Sequence, residues 1–212
     1  MSLNNRSFHT RSSEGLTLSQ AFGKRLFDIC GAAGGLVLTF WVILLAFAVV
    51  SIDTRSNGFF VQQRVGRRGK LFRIIKIRTM RNGKETGKTV TTIEDARITT
   101  LGKFLRKTKI DELPQLINVL KGEMSFVGPR PDVPGFADCL EGDDRLVLAV
   151  RPGITGPATL KYRDEELLLS ETEDPEQYNR KVVFPDKVRI NREYVKNWSF
   201  SRDMKYLWET FF

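Results

Sequence analysis

The chain has 212 residues, 41% of them hydrophobic, and a formal net charge of +9. That length supports one domain of ordinary size with appendages, and the charge points to anionic partners: nucleic acid, anionic lipid headgroups or phosphorylated small molecules. Two distant cysteines, Cys30 and Cys139, no CxxC and a single histidine, His9, argue against a disulfide scaffold or a zinc site.

Residues 1–20 are rich in Ser, Asn, Arg and Thr without apolar periodicity, and read as a poorly ordered arm in which His9 is inert. Residues 21–53 differ in kind, because the 24 positions between Asp28 and Asp53 carry no charge. As a helix they would extend roughly 36 Å, against a hydrocarbon core of about 30 Å, so a membrane helix is expected. A buried soluble helix rarely runs so long without a polar face. A signal peptide, suggested by Lys24-Arg25 and Ala46-Phe47-Ala48, would be shorter and begin earlier. Basic residues flank the run on both sides, Lys24 and Arg25 before it and Arg55, Arg64, Arg67, Arg68 and Lys70 after it. A simple span would place one of these flanks outside. A helix that enters, bends and returns to the same face avoids this; Gly31, Gly34 and Gly35 soften its first half, although no proline breaks it.

The remaining domain, 54–212, opens with two β-rich pieces between Gly58 and Met80 around a Gly-rich basic turn, which predicts a hairpin carrying Lys76 and Arg78. Arg81–Thr92 is polar and reads as a loop. Within it Gly83-Lys84-Glu85-Thr86-Gly87-Lys88-Thr89 imitates a P-loop, but three residues separate the glycines where that motif needs four. Ile98–Lys107 predicts a short amphipathic helix with Leu101 and Leu105 inward. Asp132–Val150 reads as helical, Gly153–Pro157 as a turn-rich connection, Glu165–Ser170 as the start of a helix, and the segment after Pro185 as one more, ending near Trp198-Ser199-Phe200. The last residues hold Tyr206, Trp208, Phe211 and Phe212 near Arg202 and Lys205, which suits a membrane interface or packing against the domain equally.

Between these segments lies Arg106–Arg130, where Asp111 and Glu112 precede Leu113, Leu116, Ile117 and Leu120, one apolar helix face. Pro114 fits a first turn and Gly122 a left-handed end cap. The two carboxylates therefore open a helix, whose dipole should keep Asp111 ionised. An ordinary N-cap and first-turn acid would look the same. What favours chemistry is the setting: Arg106, Lys107 and Lys109 lie upstream, and Arg130 in Gly128-Pro129-Arg130-Pro131 and Arg151 in Arg151-Pro152-Gly153 sit on rigid mounts. Forked cations so held suit phosphate oxygens, and carboxylates beside them suit a phosphorylated substrate.

With these pieces the chain resembles the bacterial sugar transferase family, the monotopic polyprenyl-phosphate phosphoglycosyl transferases. The resemblance rests on Lys24-Arg25-Leu26-Phe27-Asp28, Lys76-Ile77-Arg78-Thr79-Met80, Asp111-Glu112-Leu113-Pro114-Gln115, Asn118-Val119-Leu120-Lys121-Gly122, Ser125-Phe126-Val127-Gly128-Pro129-Arg130-Pro131 and Arg151-Pro152-Gly153-Ile154-Thr155-Gly156. It implies a mostly helical α+β, membrane-associated catalytic domain on the cytoplasmic face of the bacterial inner membrane, in its minimal form, with a re-entrant or spanning N-terminal helix and interfacial amphipathic helices. It further implies transfer of a sugar 1-phosphate from a UDP-sugar to undecaprenyl phosphate with release of UMP, with Asp111 as nucleophile and Mg2+ on Asp111 or Glu112. Lys76, Arg78, Arg106, Arg130 and Arg151 are the expected substrate-binding cations. Family members often carry Ser-Pro midway along the membrane helix; Phe40-Trp41 stands there in this chain. The other function class is a membrane-anchored basic module that binds nucleic acid or anionic lipid without catalysis; the interleaved aromatic and basic residues of a nucleic-acid surface are not visible, and no nucleic-acid partner is expected.

Overall fold

The computed structural model describes residues 15–82 and 95–212, so the expectations for most of the N-terminal arm and for the P-loop-like stretch fall outside it. The first element, α1 (Leu18–Thr54), is one unbroken 37-residue helix. It begins inside the expected arm because Thr17 and Gln20 form a capping box, each side chain bonding the other's backbone. At about 1.5 Å per residue it is roughly 55 Å long, and its length and composition would allow it to cross a membrane.

One stripe of α1 faces protein. Lys24, Asp28, Ala32, Ile43, Val50 and Thr54 are buried, at spacings of four, seven and eleven that keep to one side of a helix. Leu36, Ala46 and Phe47 pack along the same stripe. The opposite side, with Leu38, Trp41, Leu45 and Ile52, is exposed and apolar. Gly31 is not a hinge here: a Cβ on it would come within 2.7 Å of the Phe126 ring, so its role is to let the body approach closely.

After α1 come the antiparallel strands β1 (Phe59–Val65) and β2 (Leu71–Ile77), joined through a 3-10 turn at Arg67–Gly69, which is the expected hairpin. Then follow α2 (Thr100–Lys107) and α3 (Gln115–Lys121), the latter capped by Gly122 at φ 81°. A second, parallel pair, β3 (Ser125–Val127) and β4 (Gly153–Thr155), was not expected, because three-residue strands have too few positions for a period-two signal. Residues 132–150 do not form the expected helix. They run through 3-10 turns at Ala137–Cys139 and Gly142–Ala149, interrupted by Pro134 and by Gly135 and Gly142 at positive φ. The chain closes with α4 (Pro157–Lys161), α5 (Glu165–Ser170), α6 (Pro175–Tyr178), a π turn, α7 (Phe184–Lys196) and α8 (Phe200–Phe211).

The core has no boundary between α1 and the rest of the described residues. Ala32 of α1 packs with Ile74, Leu116, Val119 and Met124, and Ile43 and Val50 pack with Ile77 and Leu105. At its start α1 is pinned to α8: Lys24 pairs with buried Asp203 at 2.5 Å, and Tyr194 and Trp198 donate to the same carboxylate. Such a pair is tolerable in the interior because extra hydrogen bonds fill the remaining lone pairs.

Candidate active site

Asp111 and Glu112 sit in a 3-10 turn, Ile110–Glu112, entered through Lys109 in the left-handed region at φ 58°. They precede α3 by a turn rather than opening it. Both are buried, yet their surroundings differ. Arg130 grips both oxygens of Glu112, Nη2 on Oε1 and Nη1 on Oε2, and Lys76 Nζ donates to Oε1 at 3.2 Å. Burial alone would raise the Glu112 pKa, but Arg130 and Lys76 outweigh it and hold the carboxyl well below the usual range. Glu112 in turn raises the Arg130 pKa, while burial lowers that of Lys76 against the pull of Glu112.

Asp111 is the reverse case. Its Oδ1 is buried with no hydrogen-bond partner among the described residues. Burial, then the charge of Glu112, pushes its pKa up to about 6 in spite of Lys76, Arg106 and Lys109. The helix dipole expected to keep it ionised is outweighed, since α3 has only seven residues and starts beyond it.

The hairpin supplies one wall. Pairing of Phe60 with Lys76, Gln62 with Ile74 and Arg64 with Phe72 puts Gln62, Arg64 and Lys76 on one face. Arg64 donates from Nη2 to Gln62 Oε1 at 2.6 Å and from Nη1 to the Pro131 carbonyl at 3.2 Å. A second wall is the Gly128–Asp132 run. Gly128 is required there, because a Cβ would meet the Arg151 carbonyl oxygen at 2.5 Å. Burial pushes Asp132 up to about 6, although Lys187 and Arg64 oppose it. Lys187, on α7, donates to both oxygens of Glu165 on α5 at 2.6 Å.

Of the residues expected from sequence, Asp111, Glu112, Lys76 and Arg130 come together. Arg106 borders them, held by Thr79 at 2.9 Å and Glu166 at 2.8 Å, with its charge acting on Asp111. Arg78 does not join them: it donates to the carbonyls of Asn57 and Phe59 and to Asn82, bracing the open end of the hairpin. Nor does Arg151, whose Nε donates to the Gly122 carbonyl at 2.8 Å at the far end of α3. Sequence reasoning missed Arg64 and Asp132 as site residues. Strand alternation relative to Lys76 could have found the first, and continuity with Arg130-Pro131 the second.

No group of three or more His, Cys, Asp or Glu able to hold a metal occurs among the described residues. Glu112 is a poor ligand because both its oxygens are taken by cations. Asp111 keeps an unpartnered oxygen. One such carboxylate fits Mg2+, which retains several waters and commonly combines one or two protein carboxylates with substrate phosphates.

Residues 19–212 match the profile described as bacterial sugar transferase. The chain belongs to that family. It is 36% identical to the sugar transferase EpsL of Bacillus subtilis, over 87% of this chain and 83% of that protein. It is 33% identical to the UDP-galactose-lipid carrier transferase of Erwinia amylovora, over 91% of this chain and 40% of that one. To the undecaprenyl-phosphate galactose phosphotransferase of Salmonella typhimurium it is 35% identical, again over 91% of this chain and 40% of the relative. The chain thus spans most of EpsL but well under half of the two longer relatives.

Proposed function

We propose that this transferase moves a sugar 1-phosphate from a UDP-sugar to a polyprenyl phosphate, through a covalent intermediate on Asp111, with release of UMP. The carrying observation is the contrast between adjacent carboxylates, Glu112 fixed by Lys76 and Arg130 and Asp111 with a buried, unpartnered oxygen. The names of the Erwinia and Salmonella relatives support the substrate classes. Ionised Asp111 attacks the sugar-bearing phosphorus; the phosphorus–oxygen bond to UMP breaks and UMP departs with the bridging oxygen. An oxygen of the polyprenyl phosphate then attacks the same phosphorus, forming the lipid diphosphosugar and returning the carboxylate. Two displacements replace one hard one. Mg2+ on Asp111 and substrate phosphates would offset the charge of the diphosphate.

The shape of α1 supports a membrane placement. Its protein-facing stripe contacts the body from Lys24 to Thr54, which favours both ends lying on the same side of a bilayer as the body. We place the exposed apolar face in one leaflet of the inner membrane, with the start of α1 and the catalytic body both cytoplasmic. Single cysteines at Ser19 and Lys70 should both be shielded from an impermeant reagent in intact cells; labelling at Ser19 alone would refute this.

Exchange tests the chemistry. With UDP-sugar and labelled UMP but no polyprenyl phosphate, the wild-type enzyme should return label into UDP-sugar, because the first half-reaction is reversible alone. Asp111→Asn should abolish this exchange while remaining folded. Exchange that persists in Asp111→Asn, or is absent from an active wild type, removes Asp111 as nucleophile.

A further inference from the structure

Arg64 is a cation of this site with no carboxylate bonded to it among the described residues. Its bonds go to neutral acceptors, the side-chain oxygen of Gln62 and the carbonyl of Pro131, and its Nε–H is buried with no partner among the described residues. The charges acting on it are Arg130, Asp132 and Glu112, and Glu112 is already committed to Arg130 and Lys76. Arg64 and Arg130 thus act on each other as like charges, Glu112 is occupied, and Asp132, the other carboxylate acting on Arg64, has no hydrogen bond to it among the described residues. Burial, then Arg130, lowers the Arg64 pKa to about 10, a sign of how poorly this charge is compensated. The bonds that do exist orient the fork: each Nη carries two hydrogens, and Gln62 and Pro131 take one apiece, which leaves one on each nitrogen.

We infer that these remaining N–H groups of Arg64 bind a phosphate oxygen of the nucleotide sugar, making Arg64 a substrate-contacting residue alongside Arg130. The inference rests on the transferase function proposed above and names, within it, a residue that holds the diphosphate. The chemistry suits the position. A planar guanidinium matches two phosphate oxygens, and an entering dianion supplies the charge that Lys76 and Arg130, drawn to Glu112, leave uncompensated. Gln62 and Pro131 act as positioning groups that hold the plane of the fork.

The test is binding of UDP to the purified full chain in detergent, compared among wild type, Arg64→Lys and Arg64→Gln, with uridine as a phosphate-free control. Arg64→Gln should weaken UDP binding about tenfold or more, equivalent to about 1.4 kcal/mol, and raise KM for the UDP-sugar in parallel. Arg64→Lys should fall between it and wild type, uridine should bind all three alike, and the unfolding midpoint without ligand should stay near wild type. Equal UDP affinity in all three proteins overturns the inference while leaving the transferase reading intact. Equal loss of UDP and uridine, or failure of both variants to fold, makes Arg64 structural and also overturns it. If active wild-type enzyme does not bind UDP, the transferase reading falls first and the inference with it.

Discussion

The two ends of α3 use the same residue types to opposite purposes. At its C-terminal end, Arg25 donates to the carbonyls of Val119 at 2.5 Å and Leu120 at 2.7 Å, and Arg151 to that of Gly122 at 2.8 Å. Carbonyls at a helix C-terminus lack partners farther along the helix; Val119 has only the N–H of the cap residue Gly122 at 3.0 Å, so guanidiniums at the negative end complete the set and suit the dipole. Ahead of the N-terminal end, Arg130 meets a carboxylate, Glu112, and the adjoining Asp111 is left with a buried bare oxygen and a raised pKa. Between the ends, Asn118 locks the helix to β2, donating to the Arg73 carbonyl at 2.7 Å and accepting from the Ile75 N–H at 3.1 Å. One end is built for stability, and the other departs from it where chemistry is proposed. A rigid mount aims an arginine, but what stands opposite decides its use.

The largest effect should come from Glu112→Gln. It keeps the shape but leaves Lys76 and Arg130 without their anion, and breaking a buried pair in this way costs about 3–5 kcal/mol. Denaturant unfolding should show that loss at pH 7, and formation of lipid-linked product should fall below detection. Because the folded Glu112 pKa is depressed, its stabilisation is present above about 4.5, its ordinary value, and fades as the pH falls further. The gap between wild type and variant should therefore narrow on acidification. A variant as stable as wild type at pH 7 would mean that Glu112 is not the node that holds the cations.

A pair of conservative changes divides the two ends more finely. Arg130→Lys loses the fork on Glu112 and should reduce turnover about a hundredfold. Arg151→Lys touches only the helix cap, so it should cost about 1 kcal/mol of stability with turnover near wild type. Equal losses of turnover in the two variants would place Arg151 in the site after all.

How much of this was readable without coordinates follows from the range of the forces involved. Local signals located the hairpin, α2, the Gly122 cap and the start of α7, since each depends on residues within one or two turns. The segment 132–150 was misread because its apolar spacing is helical, while Gly135 and Gly142 adopt positive φ and Pro134 interrupts it. Lys76, Asp111, Glu112 and Arg130 were nameable because each lies in a distinctive motif. The split between Arg130 and Arg151 was not. Both sit beside proline in short motifs, and only tertiary packing sends one to Glu112 and the other to Gly122. The raised pKa of Asp111 was hidden for a similar reason: burial is a property of the assembled body, not of a two-residue pair.

The smallest expected effect addresses whether the site end of α3 is held at a cost. Asp132 lies half-buried beside Arg64 and Arg130, with its pKa pushed up to about 6 from the ordinary 3.8. In that interval the folded protein holds a proton that the unfolded chain releases. Stability must then decline as pH rises from about 4 to 6, and the full penalty is present above pH 6. Asp132→Asn removes the penalty and keeps the shape. At pH 7.5 the variant should be more stable than wild type by about 1–2 kcal/mol, allowing for the partial exposure of the group. Near pH 4 the advantage should vanish, because wild-type Asp132 is then protonated in the folded state. Unfolding midpoints of the two proteins across pH 4 to 8 would show this convergence directly. A gap that does not change with pH would assign any gain to packing instead. If the variant is less stable at pH 7.5, Asp132 acts as a counter-ion to Arg64 and Lys187, and the strain at this end of α3 is confined to Asp111.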